Sequence, residues 1–426
     1  MRILVVGGGG REHALCWALS QNPTVDRIYA APGNAGIREV ATLVPVSSGD
    51  VTGLVEFAER ESIDLTVVGP EAPLVAGLAD EMQSRGMAVF GPTRDAAQIE
   101  GSKAWARWLC DRHGIPAPRW AAFEAMAPAL EFLKELGDPP YVVKADGLAA
   151  GKGVTVAPDT AMAERALEDC LVHKVFGDAG LKVLVEEYLE GSEVSALALT
   201  DGQAVVPLAL AQDYKRAFDG DRGPNTGGMG AYSPPAFVDQ GLESEIVGGI
   251  LRGVAQALDA EGVKYRGVLY AGLMVTAEGP KVLEFNCRFG DPETQVVLPR
   301  LLSNFGELLL ACVEGNLSDY QIRWRPEPCV GVVLASSGYP GPVQDGKPIS
   351  GLSEAAALEE VHVFHSGTAT RNDRVVTSGG RVLTVTAAGP DLDSARTRAY
   401  QACSLIEFEG KTWRRDIAEP RGQKSE

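Results

Sequence analysis

The stretch Ile3–Leu19, ILVVGGGGREHALCWAL, constrains the fold most. A short apolar run ends on four consecutive glycines, and a helix-like segment follows at once. A strand that turns this tightly into a helix begins a crossover unit, the connection that parallel strands require. The alternation continues downstream. Ile3–Val6, Arg27–Ala31, Leu65–Val68 and Ala88–Phe90 read as strands, and Arg11–Ser20, Val51–Arg60 and Leu74–Arg85 as helices. A doubly wound parallel sheet is therefore expected over residues 1–102.

The turn invites a dinucleotide reading, which its details oppose. Gly7 and Gly9 fit the first two places of G-x-G-x-x-G, but Glu12 stands in the third. Where an acidic residue should meet the ribose, the chain reads AAPGNAG, Ala30–Gly36, with no carboxylate. NAD is disfavoured. The glycine amides at a helix N-terminus still favour an anion.

The chain has 426 residues, which at roughly 150 per domain suggests about three domains. Its formal net charge of −18 argues against a nucleic-acid binder, which needs a basic surface. A small phosphorylated ligand is compatible with that charge, because backbone amides and a few cations suffice to hold it. Seven scattered cysteines form no close pair, so neither a zinc site nor a disulfide framework is expected. No secretory leader and no apolar run near the ~18 residues of a membrane span is present. A reduced, cytoplasmic protein follows as the expectation, monomeric by default with oligomers left open, and with no membrane or nucleic-acid partner.

From Ser102 the pattern becomes α+β. A helix reaches about His113, Pro128–Leu136 reads as helix, Tyr141–Ala145 as strand, Thr160–Val175 as helix and Val183–Glu187 as strand. Val238–Glu261 reads as helix, followed by strands Val268–Thr276 and Lys281–Phe285. A third unit begins after about Asn316, with strands Val330–Ala335, Val361–Phe364 and Val382–Thr386 and a helix Asp391–Ile406. The charged tail from Arg414 is expected to be loose.

Three stretches carry chemistry. In YVVKADGLAAGKGV, Tyr141–Val154, a lysine ends a strand and a glycine-rich loop carries a second. This is not a Walker A loop, since Lys152 is followed by Gly153 rather than Ser or Thr. Glycines with Lys144 and Lys152 still suit a flap over a triphosphate, where amides approach closely and ammonium groups cancel charge. In KVLEFNCRFGDPETQ, Lys281–Gln295, strand alternation turns Leu283, Phe285 and Cys287 to the core and Glu284, Asn286 and Arg288 to the other face. A carboxylate and an amide oxygen are hard donors, suited to Mg²⁺ on phosphates, and Arg288 beside them can bind a carboxylate or phosphoryl group. The third stretch, Gln212–Pro234, is glycine-rich enough to be an irregular active-site rim. The histidines are poor catalytic candidates: His362 and His365 fall on opposite faces of any strand, and His113 and His173 sit in helical segments.

KADGLAAGKGV, EEYLEGSEVS (Glu186–Ser195), GPNTGGMGAYSP (Gly223–Pro234) and LEFNCRFGDPETQ together resemble an ATP-grasp ligase. VVGGGGREHAL, APGNAG, VVGPEAPL (Val67–Leu74), FGP (Phe90–Pro92), EGSKAW (Glu100–Trp105) and SGGRVL (Ser378–Leu383) narrow the resemblance to the phosphoribosylamine–glycine ligase family, in order and over nearly the whole chain. It implies an N-terminal substrate domain (1–102), an ATP-grasp domain (103–316) with a mobile lid at about 120–190, and a small C-terminal α+β domain (317–426), in the single-function form. It also implies ATP-dependent joining of glycine to 5-phosphoribosylamine through glycyl phosphate, with Mg²⁺ or Mn²⁺. Under the resemblance Glu284 and Asn286 hold the metal. Lys103, Lys144 and Lys152, with the Gly147–Gly151–Gly153 flap, neutralise the triphosphate. Glu186 and Leu189 offer backbone groups to adenine, and Glu193 holds the ribose of ATP. Arg288 takes glycine's carboxylate, and Asp213 takes its ammonium or steers the amine. Gly9, Gly10 and Arg11 receive the 5-phosphate of the amine substrate, with Asn34 and Glu71 near its ribose. Two alternatives stand beside this: an ATP-grasp ligase with another acceptor, and a nucleotide-binding module without turnover.

Overall fold

The computed structural model describes residues 1–148 and 153–419. Five parallel strands open the chain, in the order Thr42–Leu43, Arg27–Pro32, Arg2–Gly7, Leu65–Val68, Val89–Phe90. Alternation along Arg2–Gly7 sends Leu4 and Val6 into one core and Ile3 and Val5 into another, so apolar packing covers both faces. The strand order reverses beside Arg2–Gly7, which makes the ends of Arg2–Gly7 and Leu65–Val68 the crevice where ligands of such sheets bind.

Two elements here depart from the sequence reading. The expected helix Leu74–Arg85 is two, Glu71–Val75 and Leu78–Ser84, because Gly77 adopts φ +91° between them. A helix Arg94–Gly101 was not anticipated. It ends at Ser102, whose hydroxyl accepts from the Trp105 amide at 3.2 Å and caps the helix Lys103–His113.

Trp120–Phe123, Val183–Glu187, Tyr141–Ala145 and Val154–Ala157 form an antiparallel sheet in that order. With the helices Met126–Leu136 and Thr160–Leu171 it encloses a core of its own, around Leu133, Val143, Leu167 and Val185. The second helix stops at Leu171, short of the expected Val175. Val172 and Val175 are exposed and Lys174 has φ +51°, so no apolar face extends the helix.

The central sheet runs Val205–Pro207, Ser192–Thr200, Gly267–Thr276, Gly279–Asn286, all antiparallel. Gly272 faces Glu284 whereas Leu273 faces Val282, so Leu283 is the extra residue of a bulge. The helical stretch behind this sheet is α at Gln240–Glu245, π at Ile246–Leu251 and α again at Arg252–Ala260.

The fourth, C-terminal sheet holds Gln212–Asp213, Gly230–Ser233, Cys329–Ser336, Arg381–Ala388 and Val361–His365, with Lys411–Thr412 on Cys329–Ser336. It thus draws on chain from both sides of residue 317. The glycine-rich Gln212–Pro234 is built of short strands, a correction to the irregular rim, and Arg216–Phe218 and Arg222–Asn225 form a hairpin within it. A side chain at Gly230 would put its Cβ 2.7 Å from the Gly331 carbonyl, so the glycine reflects strand packing rather than disorder. The loose tail is corrected for 414–419, while 420–426 lie outside the described residues. Arg414 is 1% exposed, paired with Asp221 at 2.8 Å and Asp416 at 2.6 Å, and Ile417 and Ala418 are buried. His173 lies past its helix, whereas His113 ends one. All seven cysteines are buried and unpaired, and no helix among the described residues is long and apolar enough to cross a membrane.

Candidate active site

Where the four sheets meet, a cleft of about 670 Å³ opens. Arg11, Glu71, Lys103, Lys144, Gly153, Glu186, Leu189, Glu193, Asp213, Glu284, Asn286 and Arg288 all line it, although they come from three different sheets and the segments between them. Gly9, Gly10, Asn34 and Gly147 lie outside its lining. Gly151 and Lys152 lie outside the described residues.

The lysine-bearing strand comes first. Tyr141–Ala145 is buried throughout and ends at the cleft. The Lys144 ammonium reaches Glu186 Oε2 at 2.7 Å and donates to the Leu283 carbonyl at 2.9 Å. Arg107 grips the same carboxylate at 2.8 and 3.1 Å and donates to the same carbonyl at 2.7 Å. The bulge explains that carbonyl, since the extra residue's backbone is left outside the ladder. It also corrects the alternation expected here: Val282 and Phe285 are buried, while Leu283 is half-buried and lines the cleft beside Glu284. Burial raises the Glu186 carboxyl, but Arg107 and Lys144 outweigh it and the net shift is downward. Burial lowers the Lys144 ammonium, with Glu186 opposing. Glu186 thus supplies a side-chain anchor as well as a place in the strand that leads to Leu189. Lys103 donates to the carbonyls of Ala145 and Gly147, both at 2.9 Å, and so holds the start of the glycine loop.

On the opposite wall Glu284 and Asn286 point into the cleft from one strand. Lys215, then burial against it, then Lys144 set the Glu284 carboxyl, which is held down at about 2. Lys215 lies 3.3 Å from Glu284 Oε1 and 3.0 Å from Glu193 Oε2. Its burial is outweighed by Glu193, Glu284 and Asp213, so its ammonium is shifted up. Two hard oxygen donors, one firmly ionised, fit a Mg²⁺ or Mn²⁺ ion whose other positions come from phosphates and water. No group of three or more His, Cys, Asp or Glu that could hold a metal ion exists among the described residues.

Arg288 lies between two carboxylates, 3.2 Å from Glu71 and 2.9 Å from Glu100, and donates to the Phe289 carbonyl at 3.3 Å. Glu100 also accepts from the Cys287 amide at 2.7 Å. Burial raises Glu71 less than Arg288 and Arg11 lower it. Asp213 is set into the cleft by its strand. Burial raises its carboxyl, Lys215 opposes, and Glu293, Glu193 and Glu284 raise it further. Glu293 is itself buried, accepting from Tyr270 at 2.5 Å and Ser195 at 3.1 Å.

The opening turn packs more tightly than a free anion cradle. A Cβ on Gly7, which has φ +123°, would lie 2.5 Å from Glu12 Cγ, and one on Gly69 would also strike Glu12. The Glu12 carboxylate accepts from the Gly9 amide at 2.6 Å and from Arg11 Nε at 2.5 Å. Glu12 therefore fits its place as a capping-box partner, which a third glycine could not be. Gly10 packs on Ser366 and Gln295. Asn34 stands apart from its expected role near a ribose. Its amide nitrogen donates to the carbonyls of Gly8 at 2.9 Å and His365 at 2.7 Å, and its oxygen accepts from the Gly36 and Ile37 amides, both at 3.0 Å. It braces the turn against the C-terminal sheet. His13 does the same, its Nδ1 accepting from the His365 amide at 2.8 Å. Arg381 enters the cleft from the C-terminal sheet, 3.3 Å from Asp291 and donating to the Asp291 carbonyl at 2.9 Å.

Arg107, Lys215, Glu100, Glu293, Asp291 and Arg381 had no role in the sequence reading. Most of them had a signal. Lys215 lies in the Gln212–Pro234 stretch, Glu100 in EGSKAW, Asp291 and Glu293 in FGDPETQ and Arg381 in SGGRVL. Arg107 had none, being one cation in an ordinary helix.

Comparison with known proteins matches each part of this architecture. Residues 1–100 match the phosphoribosylglycinamide synthetase N domain, 101–294 its ATP-grasp (A) domain and 329–420 its C domain. A phosphoribosylamine–glycine ligase of Allochromatium vinosum is 50% identical over 98% of this chain and 98% of its own. The crystal structure of phosphoribosylamine–glycine ligase from Thermotoga maritima superposes with TM-score 0.84 at 34% identity, covering 98% of this chain and 100% of that one. The biotin carboxylase domain of a Hydrogenobacter thermophilus 2-oxoglutarate carboxylase, solved with MgADP and bicarbonate, shares the fold at TM-score 0.74 and 16% identity, over 96% of this chain and 91% of that one.

Proposed function

The chain belongs to the phosphoribosylglycinamide synthetase family, and from that premise we infer how its cleft works. It is an ATP-dependent, ADP-forming ligase that makes glycinamide ribonucleotide from glycine and 5-phosphoribosylamine in purine biosynthesis. A carboxylate is a poor electrophile and must first gain a leaving group. One oxygen of glycine's carboxylate attacks the γ-phosphorus of ATP, and ADP departs. The amine nitrogen then attacks the acyl carbon of glycyl phosphate, and phosphate departs with that oxygen.

Such phosphoryl transfer needs alignment and charge cancellation more than acid–base help. Lys144, steadied by Glu186 and the Leu283 carbonyl, lines the phosphate side with Lys103 and Gly153. Glu186–Leu189 presents backbone to adenine, and Glu193 meets the ribose. Glu284 and Asn286 would hold the divalent metal, which when bound neutralises phosphate charge. Arg288, its plane fixed by Glu71 and Glu100, faces glycine's carboxylate. Asp213, crowded by three carboxylates, is relieved by glycine's ammonium. Gly9, Gly10 and Arg11, joined by Arg381, receive the 5-phosphate, with Glu71 toward its ribose. The sheet and helices from Trp120 to Glu187, with a core of their own, form the lid over a dry site. Domain limits near 102 and 317 divide these tasks. One chain supplies every residue named, so a monomer suffices. We place the enzyme in the cytoplasm, where its buried thiols stay reduced.

The observation that carries this reading is the convergence of the lysine strand, the Glu284 strand and Arg11, which follows the opening turn, on one cleft. Glycine labelled with ¹⁸O in its carboxylate tests it. The label is expected in the released phosphate. Unlabelled phosphate would exclude the acyl-phosphate route.

A further inference from the structure

Lys215 lines the cleft with its ammonium between two carboxylates, 3.0 Å from Glu193 and 3.3 Å from Glu284. The two belong to strands on opposite sides of Gly267–Thr276, so no local pairing brings them together. Asp213 adds a third carboxylate to the surroundings of the same ammonium. The Lys215 backbone is fixed, since its carbonyl accepts from the Thr226 amide at 2.7 Å and the Thr226 hydroxyl at 2.9 Å. Its side chain is a long flexible stem with a compact charge at the end, suited to moving over a few ångströms while its root stays put.

Resting on the reading of Glu284 and Asn286 as metal donors, we propose that Lys215 is a resident counter-cation: its ammonium holds the place between Glu193 and Glu284 against free divalent metal and yields it to the metal–nucleotide complex. A bare divalent ion at Glu284 meets an ammonium on the same carboxylate and is repelled. A metal carried by a nucleotide brings phosphate oxygens with it, which offer the ammonium a new anionic partner. Glu193 is then released toward the ribose. The ammonium's move couples three events that separate binding would leave independent: metal capture, phosphate neutralisation and ribose recognition. The metal enters with nucleotide rather than before it.

Mn²⁺ titration of the full chain, followed by electron paramagnetic resonance of the free ion, tests this in wild type, Lys215→Met, Lys215→Arg and Glu284→Gln. Wild type is expected to hold Mn²⁺ weakly alone and tightly with ADP. Lys215→Met is expected to bind Mn²⁺ without nucleotide at least about tenfold more tightly than wild type, and to gain a thermal shift from Mn²⁺ alone. Lys215→Arg, which keeps the charge, is expected to exclude the bare ion as wild type does. If Lys215→Met does not fold, Glu193→Gln/Lys215→Met removes a facing carboxylate together with the ammonium and gives the same readout. Bare-metal affinity in these variants no tighter than wild type, with Mn–ADP binding lost in Glu284→Gln, would overturn the proposal while leaving the metal strand in place. Mn–ADP binding unchanged in Glu284→Gln would overturn the metal strand and the proposal with it.

Discussion

Arg288 and Glu186 show how single residues here gain their function from fixed partners. A lone arginine on a strand edge would sample many rotamers. Glu71 and Glu100 hold the Arg288 guanidinium in one orientation, so binding glycine requires little further ordering. Arg288→Ala should therefore abolish glycine-dependent ADP formation in a chain that still folds, with a lowered melting temperature because the buried Glu100 loses its cation; activity near wild type would remove Arg288 from the site. Glu186 is different, because its carboxylate is 1% exposed and neutralises both Arg107 and Lys144. Glu186→Gln strands two buried cations and should cost about 3–5 kcal/mol in a denaturant titration. A loss below 1 kcal/mol, roughly the scale of a surface pair, would contradict the burial of this cluster. At this scale the sequence was readable where neighbours along one strand share a face, as Glu284 and Asn286 do in Gly279–Asn286, with Arg288 just past the strand's end. It was unreadable where chemistry depends on contacts between distant segments. Arg107 meets Glu186 and Lys215 meets Glu284 only after the sheets assemble. The Leu283 bulge was equally hidden, since a run of apolar and polar residues does not show which position falls outside the ladder.

Elements were legible wherever periodicity and punctuation agreed. Leu65–Val68, Tyr141–Ala145 and Val51–Arg60 have the ends expected from the sequence. Boundaries failed where a backbone conformation decided them, as at Gly77, or where glycines serve close packing, as at Gly230. The tail looked loose because its charges were counted without their partners in the Asp219–Asp221 turn. The contact between the helix Gly10–Ser20 and the strand Val361–His365 carries a pH dependence. Burial, with His365 beside it, pushes His13 down to about 3, and burial pushes His365 down to about 4. In the unfolded chain both titrate near 6.5. Below that pH the unfolded state takes up protons that the folded state refuses, so stability is full above about 6.5 and falls progressively as pH drops toward 4 and then 3. At pH 5 each histidine should cost about 2 kcal/mol. Melting curves from pH 7.5 to 5 should fall less steeply in His13→Gln, which keeps an acceptor without a titrating ring, than in wild type. Equal slopes would mean that His13 is not buried as a neutral ring.

At the scale of the whole molecule, four sheets supply one cleft and the division of labour follows from their cores. The core on the Leu4 face of the parallel sheet continues into the central sheet, through residues such as Phe285, so those two parts form one frame. The sheet Trp120–Phe123, Val183–Glu187, Tyr141–Ala145, Val154–Ala157 has a separate core, which is what the proposed lid would need in order to move on that frame. The C-terminal sheet borrows strands from residues 212–233 and returns Arg381 to the cleft, which ties the acceptor side to the phosphate side. Fold class and the three-part plan were legible in the order of motifs. The shared sheet was not, because strand exchange across a domain limit leaves no mark in local periodicity. The central claim is that this single cleft couples ATP cleavage to joining glycine and phosphoribosylamine. Product stoichiometry with Mg²⁺, ATP and both substrates tests it most directly. One ADP and one phosphate should appear for each glycinamide ribonucleotide, and multiple turnover should stop when either glycine or phosphoribosylamine is withheld. Release of AMP and pyrophosphate, or undiminished turnover without phosphoribosylamine, would contradict it.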